Sequence, residues 1–201
     1  MKDTITLLRE SGAMLEGHFL LSSGRHSDRY FQCAKLLQYP NRATAALEAV
    51  AESIRSDMAA GKLAIDLIVG PALGGIIVAW ELGRRLGLPA LFTERDETGA
   101  MTLRRGFEVP PGAGVLIAED VVTTGKSSGE SAAVMEALGG RVKALVCVVD
   151  RRAEGINLSW PLYAASRVPA GNWDPGDCRL CKEGLPLVKP GSRKLPAASG
   201  R

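Results

Sequence analysis

Residues 115–130 read VLIAEDVVTTGKSSGE, and this stretch decides the fold. Residues 115–118 are a short apolar run of the kind that fills a buried strand. The run meets two adjacent carboxylates, Glu119 and Asp120. Val121 and Val122 follow, then the polar turn Thr123-Thr124-Gly125-Lys126-Ser127. A helix is expected over roughly 128–138. A loop that opens a helix aims its unbonded backbone N–H groups and the positive dipole end at one spot. That spot suits an anion such as phosphate. Gly125 allows close backbone approach, and Thr123, Thr124 and Ser127 add hydroxyl donors. The paired acids can accept hydrogen bonds from two neighbouring sugar hydroxyls, or stabilise positive charge developing on a ribose ring.

Two other phosphate motifs fail on spacing. A P-loop needs a glycine five positions before Gly125, and Asp120 stands there. Gly112-Ala113-Gly114 precedes its strand, whereas a dinucleotide fingerprint follows one.

Outward from this stretch, residues 65–69, 88–93 and 142–149 also read as strands, with a helix over 75–86. Strands alternating with helices imply an α/β fold with a mostly parallel sheet covered on both faces. Nearer the N-terminus, a short helix is expected over 3–14, strands over 18–21 and 30–34, and a strong helix over 41–60 with Asn41 as its cap. Residues 94–111 are polar and glycine-containing, as in a lid or binding loop. From about Lys189 the tail is rich in Pro, Gly, Ser and basic groups, and is expected to be loosely ordered.

Bulk properties exclude other classes. The 201 residues are 46% hydrophobic and 23% charged, with a formal net charge of +3. That charge is too small to argue for nucleic acid and is compatible with anionic small substrates. Residues 1–10 lack the apolar core of a signal peptide, and no apolar run reaches membrane-spanning length. A cytoplasmic enzyme with no nucleic-acid or membrane partner is expected.

The sixteen-residue pattern resembles the phosphoribosyl pyrophosphate signature of type I phosphoribosyltransferases. Further segments resemble orotate phosphoribosyltransferases in particular: HFLLSSGRHSDRYFQCA (18–34), GPALGGI (70–76), FTER (92–95) and VVDRRAEG (148–155). The likeness is greatest to a compact bacterial and archaeal subgroup whose chains end in a CxxC and a PGSR-like segment, as Cys178 to Cys181 and Pro190 to Arg193 do here. The resemblance implies a type I phosphoribosyltransferase fold with a small N-terminal hood over 1–40, a core over 41–170 and a C-terminal CxxC segment with tail over 171–201. It implies transfer of ribose 5-phosphate from phosphoribosyl pyrophosphate to orotate, in pyrimidine biosynthesis, with Mg²⁺ on the leaving pyrophosphate. Glu119, Asp120 and Arg95 become the catalytic candidates. Arg95, Glu119, Asp120, Val121, Val122, Thr123, Thr124, Gly125, Lys126 and Ser127 become the sugar-donor contacts. Arg151, with Thr123, becomes the orotate contact, since an arginine grips a carboxylate through two parallel bonds. An ion pair from Arg151 to Asp150 or Glu154 is the competing reading, and Arg152 reads as a solvated neighbour. The 96–106 loop of one subunit is expected to reach its partner's site in a homodimer.

The chain departs from the family at three lysines. Ser22 and Gly74 stand where many relatives have one, and the 96–106 loop has neither lysine nor histidine. Arg104, Arg105, His26 and Lys35 are the alternative cations, and the last two read equally well as surface residues. His18 reads as structural, and Tyr30 or Phe31 as a base-stacking or core aromatic. Cys178 and Cys181 have the spacing of half a zinc site, but no further ligands lie nearby in sequence. A tight turn with two thiols is expected, with a zinc shared across a dimer or a disulfide as alternatives. No residue is assigned as a metal ligand. The rival functions are a purine or uracil phosphoribosyltransferase, and a non-catalytic nucleotide-binding regulator of the same fold.

Overall fold

The computed structural model describes residues 2–21 and 23–190. Ser22, residues 191–193 of the PGSR-like run and the remaining tail lie outside the described residues. The chain divides into two compact units, Met1–Met14 with Phe31–Pro169, and Leu15–Tyr30 with Ala170–Arg201. Their bounds differ from the contiguous division at 40 and 170, because the N-terminal hairpin bonds to the C-terminal segment.

The first unit opens with α1 (Thr4–Glu10), capped by the Asp3 carboxylate, which accepts from the Thr6 amide at 2.8 Å. The helix stops short of the predicted residue 14, and Met14 starts a strand instead. A four-residue helix, α2 (Ala34–Leu37), precedes α3 (Pro40–Ala59). Pro40, and not Asn41, begins α3, since a first turn does not use the N–H that proline lacks. The sheet and its crossovers follow: β3 (Leu67–Pro71), α4 (Gly74–Leu86), β4 (Ala90–Arg95), β5 (Met101–Leu103), β6 (Gly114–Val122), α5 (Lys126–Ala137), β7 (Arg141–Asp150) and β8 (Leu162–Arg167).

The strand order is β5-β4-β3-β6-β7-β8. Every pairing is parallel except the β4–β5 hairpin. Leu67, Val69, Val115, Ile117 and Leu145 pack one face against Ala132 and Met135 of α5. The alternate residues Ile68 and Leu116 are fully buried on the other face, where α3 and α4 pack. Burying each such side chain stabilises by about 1.5–3 kcal/mol. The buried Glu81 of α4 accepts from Thr44 of α3 and from Arg84 and Arg85, locking the two helices together.

Two strands were not anticipated. β8 lies at the sheet edge, and most of its residues are half-buried. β5 has only three residues and occupies part of the supposed 94–111 loop. The 96–100 turn before it is closed by Asp96, whose carboxylate accepts from the Thr98 and Ala100 amides.

The second unit holds β1 (Met14–Leu20) and β2 (His26–Phe31), paired as a two-stranded sheet. β2 lies earlier than the expected 30–34, because Ala34 already begins α2. The C-terminal segment adds a 3₁₀ turn, Pro175–Asp177, and α6 (Arg179–Lys182). Its backbone bridges Phe19 with Val188 and His26 with Trp173. Among the described residues, no helix is long and apolar enough to cross a membrane.

Candidate active site

β6 carries the acid pair to the carboxyl edge of the sheet, where open parallel sheets place their ligands. Alternation along the strand separates the two acids. Glu119 lines a pocket of about 120 Å³ together with Val121 to Ser128. It accepts a 3.4 Å hydrogen bond from the Ser128 hydroxyl. Asp120 is not among the residues that line this pocket. Its carboxylate lies against Gly74 at the start of α4, where an added Cβ would come within 2.4 Å of it. It accepts from the Val121 amide at 2.8 Å. Burial, reinforced by Asp120, pushes the Glu119 carboxyl up to about 8. Burial also raises Asp120, against the opposing pull of the Val121 amide. Among the described residues neither acid has an ion-pair partner.

The 123–127 loop opens a helix, as expected. Gly125 is the helix N-cap in a left-handed conformation, φ +77°, and a Cβ there would meet Leu158 at 2.5 Å. The left-handed φ is what calls for glycine, since the Leu158 methyl could move aside. α5 begins at Lys126, two residues earlier than expected, which turns Ser128 inward to Glu119. The Thr124 hydroxyl accepts from the Lys126 amide at 3.4 Å. The free amides of the first turn therefore open onto the pocket.

β7 runs beside β6 in register, with Val122 opposite Asp150. The Arg151 amide donates to the Val122 carbonyl at 3.0 Å, so this arginine is fastened next to the loop. Its guanidinium carbon lies 5.6 Å from the Phe31 ring centroid, a cation–π contact. Phe31 is thus a buried support for Arg151, whereas Tyr30 lies in the other unit, tilted 6.0 Å from Phe19. Arg152 is not a solvated neighbour. Its Nε and Nη2 donate to the two Asp150 oxygens at 2.9 Å each, and Nη1 donates to the Ile156 carbonyl.

Arg95 is not brought to the phosphate loop. It donates to the Gly99 carbonyl and pairs with Glu130 of α5, beside a separate hollow formed with Met101 and Val134. Arg105 holds Glu94 through two bonds of 2.8 and 2.9 Å, and Arg104 lies 4.0 Å from the same acid.

Residues 34–175 match the phosphoribosyl transferase domain family. An orotate phosphoribosyltransferase of Heliobacterium modesticaldum (strain ATCC 51547 / Ice1) is 48% identical over 189 residues, covering 94% of this chain and 96% of that one. The chain belongs to the orotate phosphoribosyltransferases. Solved structures agree. The orotate phosphoribosyltransferase of Aeropyrum pernix superposes with a TM-score of 0.66 at 27% identity, over 81% of this chain and 92% of that one. Leishmania donovani UMP synthase, at 22% identity, shares the fold with a TM-score of 0.67 over 82% of this chain and 36% of its own.

As an orotate phosphoribosyltransferase the chain has its own solution at Gly74. Gly74 forms a notch for the Asp120 carboxylate. Lys35 is exposed on α2. Ser128 and Leu158 escaped sequence reasoning, the first because the helix was expected to start there, the second because it comes from a loop 33 positions beyond Gly125. His26 stands in the second unit beside His18, Cys178 and Cys181.

Proposed function

We propose that the β6–α5 loop binds the 5-phosphate of phosphoribosyl pyrophosphate and that Arg151 receives the carboxylate of orotate. The observation that supports this is the backbone bond from Arg151 to Val122, which anchors the main chain of this arginine next to the strand end that opens into the 123–127 loop. The amides of residues 124–127 and the hydroxyls of Thr123, Thr124 and Ser127 hold the phosphate. Thr123 adds a contact to the base. Glu119 and Asp120 hold the ribose hydroxyls and offset the positive charge of an oxocarbenium-like transition state. A carboxyl kept neutral by burial ionises more readily as that charge grows beside it.

Magnesium suits hard oxygen donors such as these carboxylates, which have no ion-pair partner among the described residues. Glu119, which lines the pocket, is the acid that would share it with the donor's phosphates. When bound, it neutralises charge on the departing pyrophosphate.

The working form is a homodimer in the cytoplasm, serving pyrimidine synthesis. Leu73, Ile77 and Trp80 leave an apolar stripe exposed along α4, at 82%, 40% and 61%, which a second copy would cover. Arg95, held away from its own chain's pocket, then serves the partner's site. Trp80→Glu is expected to give monomers by light scattering.

The deciding experiment follows the ultraviolet absorbance of orotate with phosphoribosyl pyrophosphate and Mg²⁺, omitting each in turn. Loss of orotate only with the full mixture is expected. Turnover with a purine or uracil alone would reassign the base. Tight nucleotide binding without turnover of any base would favour a regulator.

A further inference from the structure

We propose that His18, His26, Cys178 and Cys181 bind one zinc ion within the second compact unit, as a closed structural site. The four residues come from opposite ends of the chain. His18 lies in β1 and His26 begins β2. Cys178 caps α6 and Cys181 lies within it. One ligand atom from each lies within 4.8 Å of all the others. Both cysteines are free thiols.

Four of the separations lie near those of a tetrahedron. Zinc–sulfur bonds of about 2.3 Å and zinc–nitrogen bonds of about 2.05 Å separate two nitrogens by roughly 3.3 Å and a nitrogen and a sulfur by roughly 3.6 Å. His18 Nε2 and His26 Nδ1 are 3.0 Å apart. The nitrogen–sulfur separations are 3.4 Å (His18 to Cys178), 3.7 Å (His18 to Cys181) and 3.3 Å (His26 to Cys181).

Hydrogen bonding alone does not account for this cluster. His18 Nδ1 faces the Leu185 carbonyl at 2.9 Å. A carbonyl only accepts, so Nδ1 carries the proton, and Nε2 of the neutral ring presents one lone pair. Three polar atoms then crowd that single lone pair: His26 Nδ1, Cys178 Sγ and Cys181 Sγ. A cation accepting all four lone pairs resolves the crowding. The Leu185 carbonyl becomes the outer partner that fixes the tautomer of a metal-bound histidine.

The donor set selects the ion. Two thiolates and two imidazoles suit zinc and disfavour magnesium or calcium. Four protein ligands complete the tetrahedron and leave no place for a reacting water, so the site is structural. His18, His26 and Cys178 are buried while Cys181 is exposed, which gives the ion a way in. The backbone is set to receive it. His18 accepts from the Val188 amide at 2.8 Å, and His26 exchanges bonds of 2.8 and 2.9 Å with Trp173.

The unit needs such a tie. Its two segments contribute few buried apolar side chains: Phe19, Ala170, Cys178 and Leu180 among the described residues. Units this small rarely hold together on a hydrophobic core alone.

The test is metal analysis of the full-length, untagged protein purified without chelator. Mass spectrometry of the metal content should give about one zinc per chain. An organomercurial that caps the thiols should release it. Cobalt put in its place should show the strong visible bands of a tetrahedral site and a thiolate charge-transfer band. Cys178→Ser with Cys181→Ser, and separately His26→Ala, should lose the zinc and melt at lower temperature. Should these variants not fold, the cobalt spectrum and the thiol-linked release from the wild-type chain still decide. Three results would overturn the proposal: a Cys178–Cys181 disulfide in the native protein, one zinc per two chains, or zinc retained when both cysteines are replaced.

Discussion

Two neighbouring strands of one sheet end in acids, and their surroundings treat those acids in opposite ways. β6 delivers Glu119, buried, and Asp120, half-buried, neither with an ion-pair partner among the described residues and both raised above the ordinary carboxylate range. β7 delivers Asp150, buried, but Arg152 grips both its oxygens and, against the cost of burial, holds it below that range. Val122 and Asp150 are register partners, so position in the fold does not distinguish the two sites. The difference is the supply of compensation. At β7 the protein provides the cation two residues later in the chain. At β6 it provides none among the described residues, which suits a ligand that carries positive charge or develops it. Unsatisfied acids in a cleft point to chemistry, and a satisfied acid on the next strand points to architecture.

The largest effects should come from the β6 acids. Asp120→Asn and Glu119→Gln are each expected to lower turnover by about 10²- to 10³-fold, as when one preorganised group is removed from a charged transition state. Neither should weaken the fold, since each replaces a carboxyl whose charged form its surroundings disfavour. Near-normal rates from both variants would break the contrast.

The Glu119 effect has a signature in pH. The carboxyl moves from its ordinary 4.5 to about 8 on folding. Between those values the folded chain keeps a proton that the unfolded chain has already lost. Stability is therefore fully present below the lower value and declines as pH rises toward the upper one. The melting temperature of the substrate-free, magnesium-free protein should drop across this window, and Glu119→Gln should flatten the drop. Parallel profiles for the two proteins would mean that Glu119 titrates normally.

Arg151 sharpens the comparison from the ligand's side. Arg151→Ala should raise the orotate KM by roughly 30- to 100-fold, the equivalent of a charge-assisted hydrogen bond of about 2–3 kcal/mol. The KM for the sugar donor should change much less. Equal shifts in both would assign Arg151 to the pocket wall and not to the base.

These contrasts were only half legible in the sequence. The buried strands showed in the apolar runs at 115–118 and 142–149, and the loop showed in its glycine and hydroxyls, because local spacing encodes both. The partner of Asp150 was not legible, since VVDRRAEG contains two arginines and only packing turns Arg152 back and Arg151 inward. Glu119 and Asp120 read as a matched pair, yet strand alternation sends them to different neighbours, Ser128 and Gly74. The four zinc ligands were invisible as a set. Seven residues of hairpin and about 150 of intervening chain separate them, and no local period spans that gap. The strands β5 and β8 were missed because edge positions impose no strict apolar pattern.

The smallest predicted effect belongs to β7. Asp150→Asn leaves the Arg152 guanidinium with the Ile156 carbonyl and some access to water. The expected cost is about 1–2 kcal/mol in urea unfolding at neutral pH. The sign of its pH dependence is opposite to that of Glu119. Asp150 is held below its ordinary 3.8, so its contribution is present above that value and fades as pH falls through the folded one. The stability gap between wild type and Asp150→Asn should close on acidification, whereas the gap for Glu119→Gln should open on alkalinisation. Wild type gaining on both variants as pH rises, or losing to both, would show that the neighbouring strand ends are electrostatically alike.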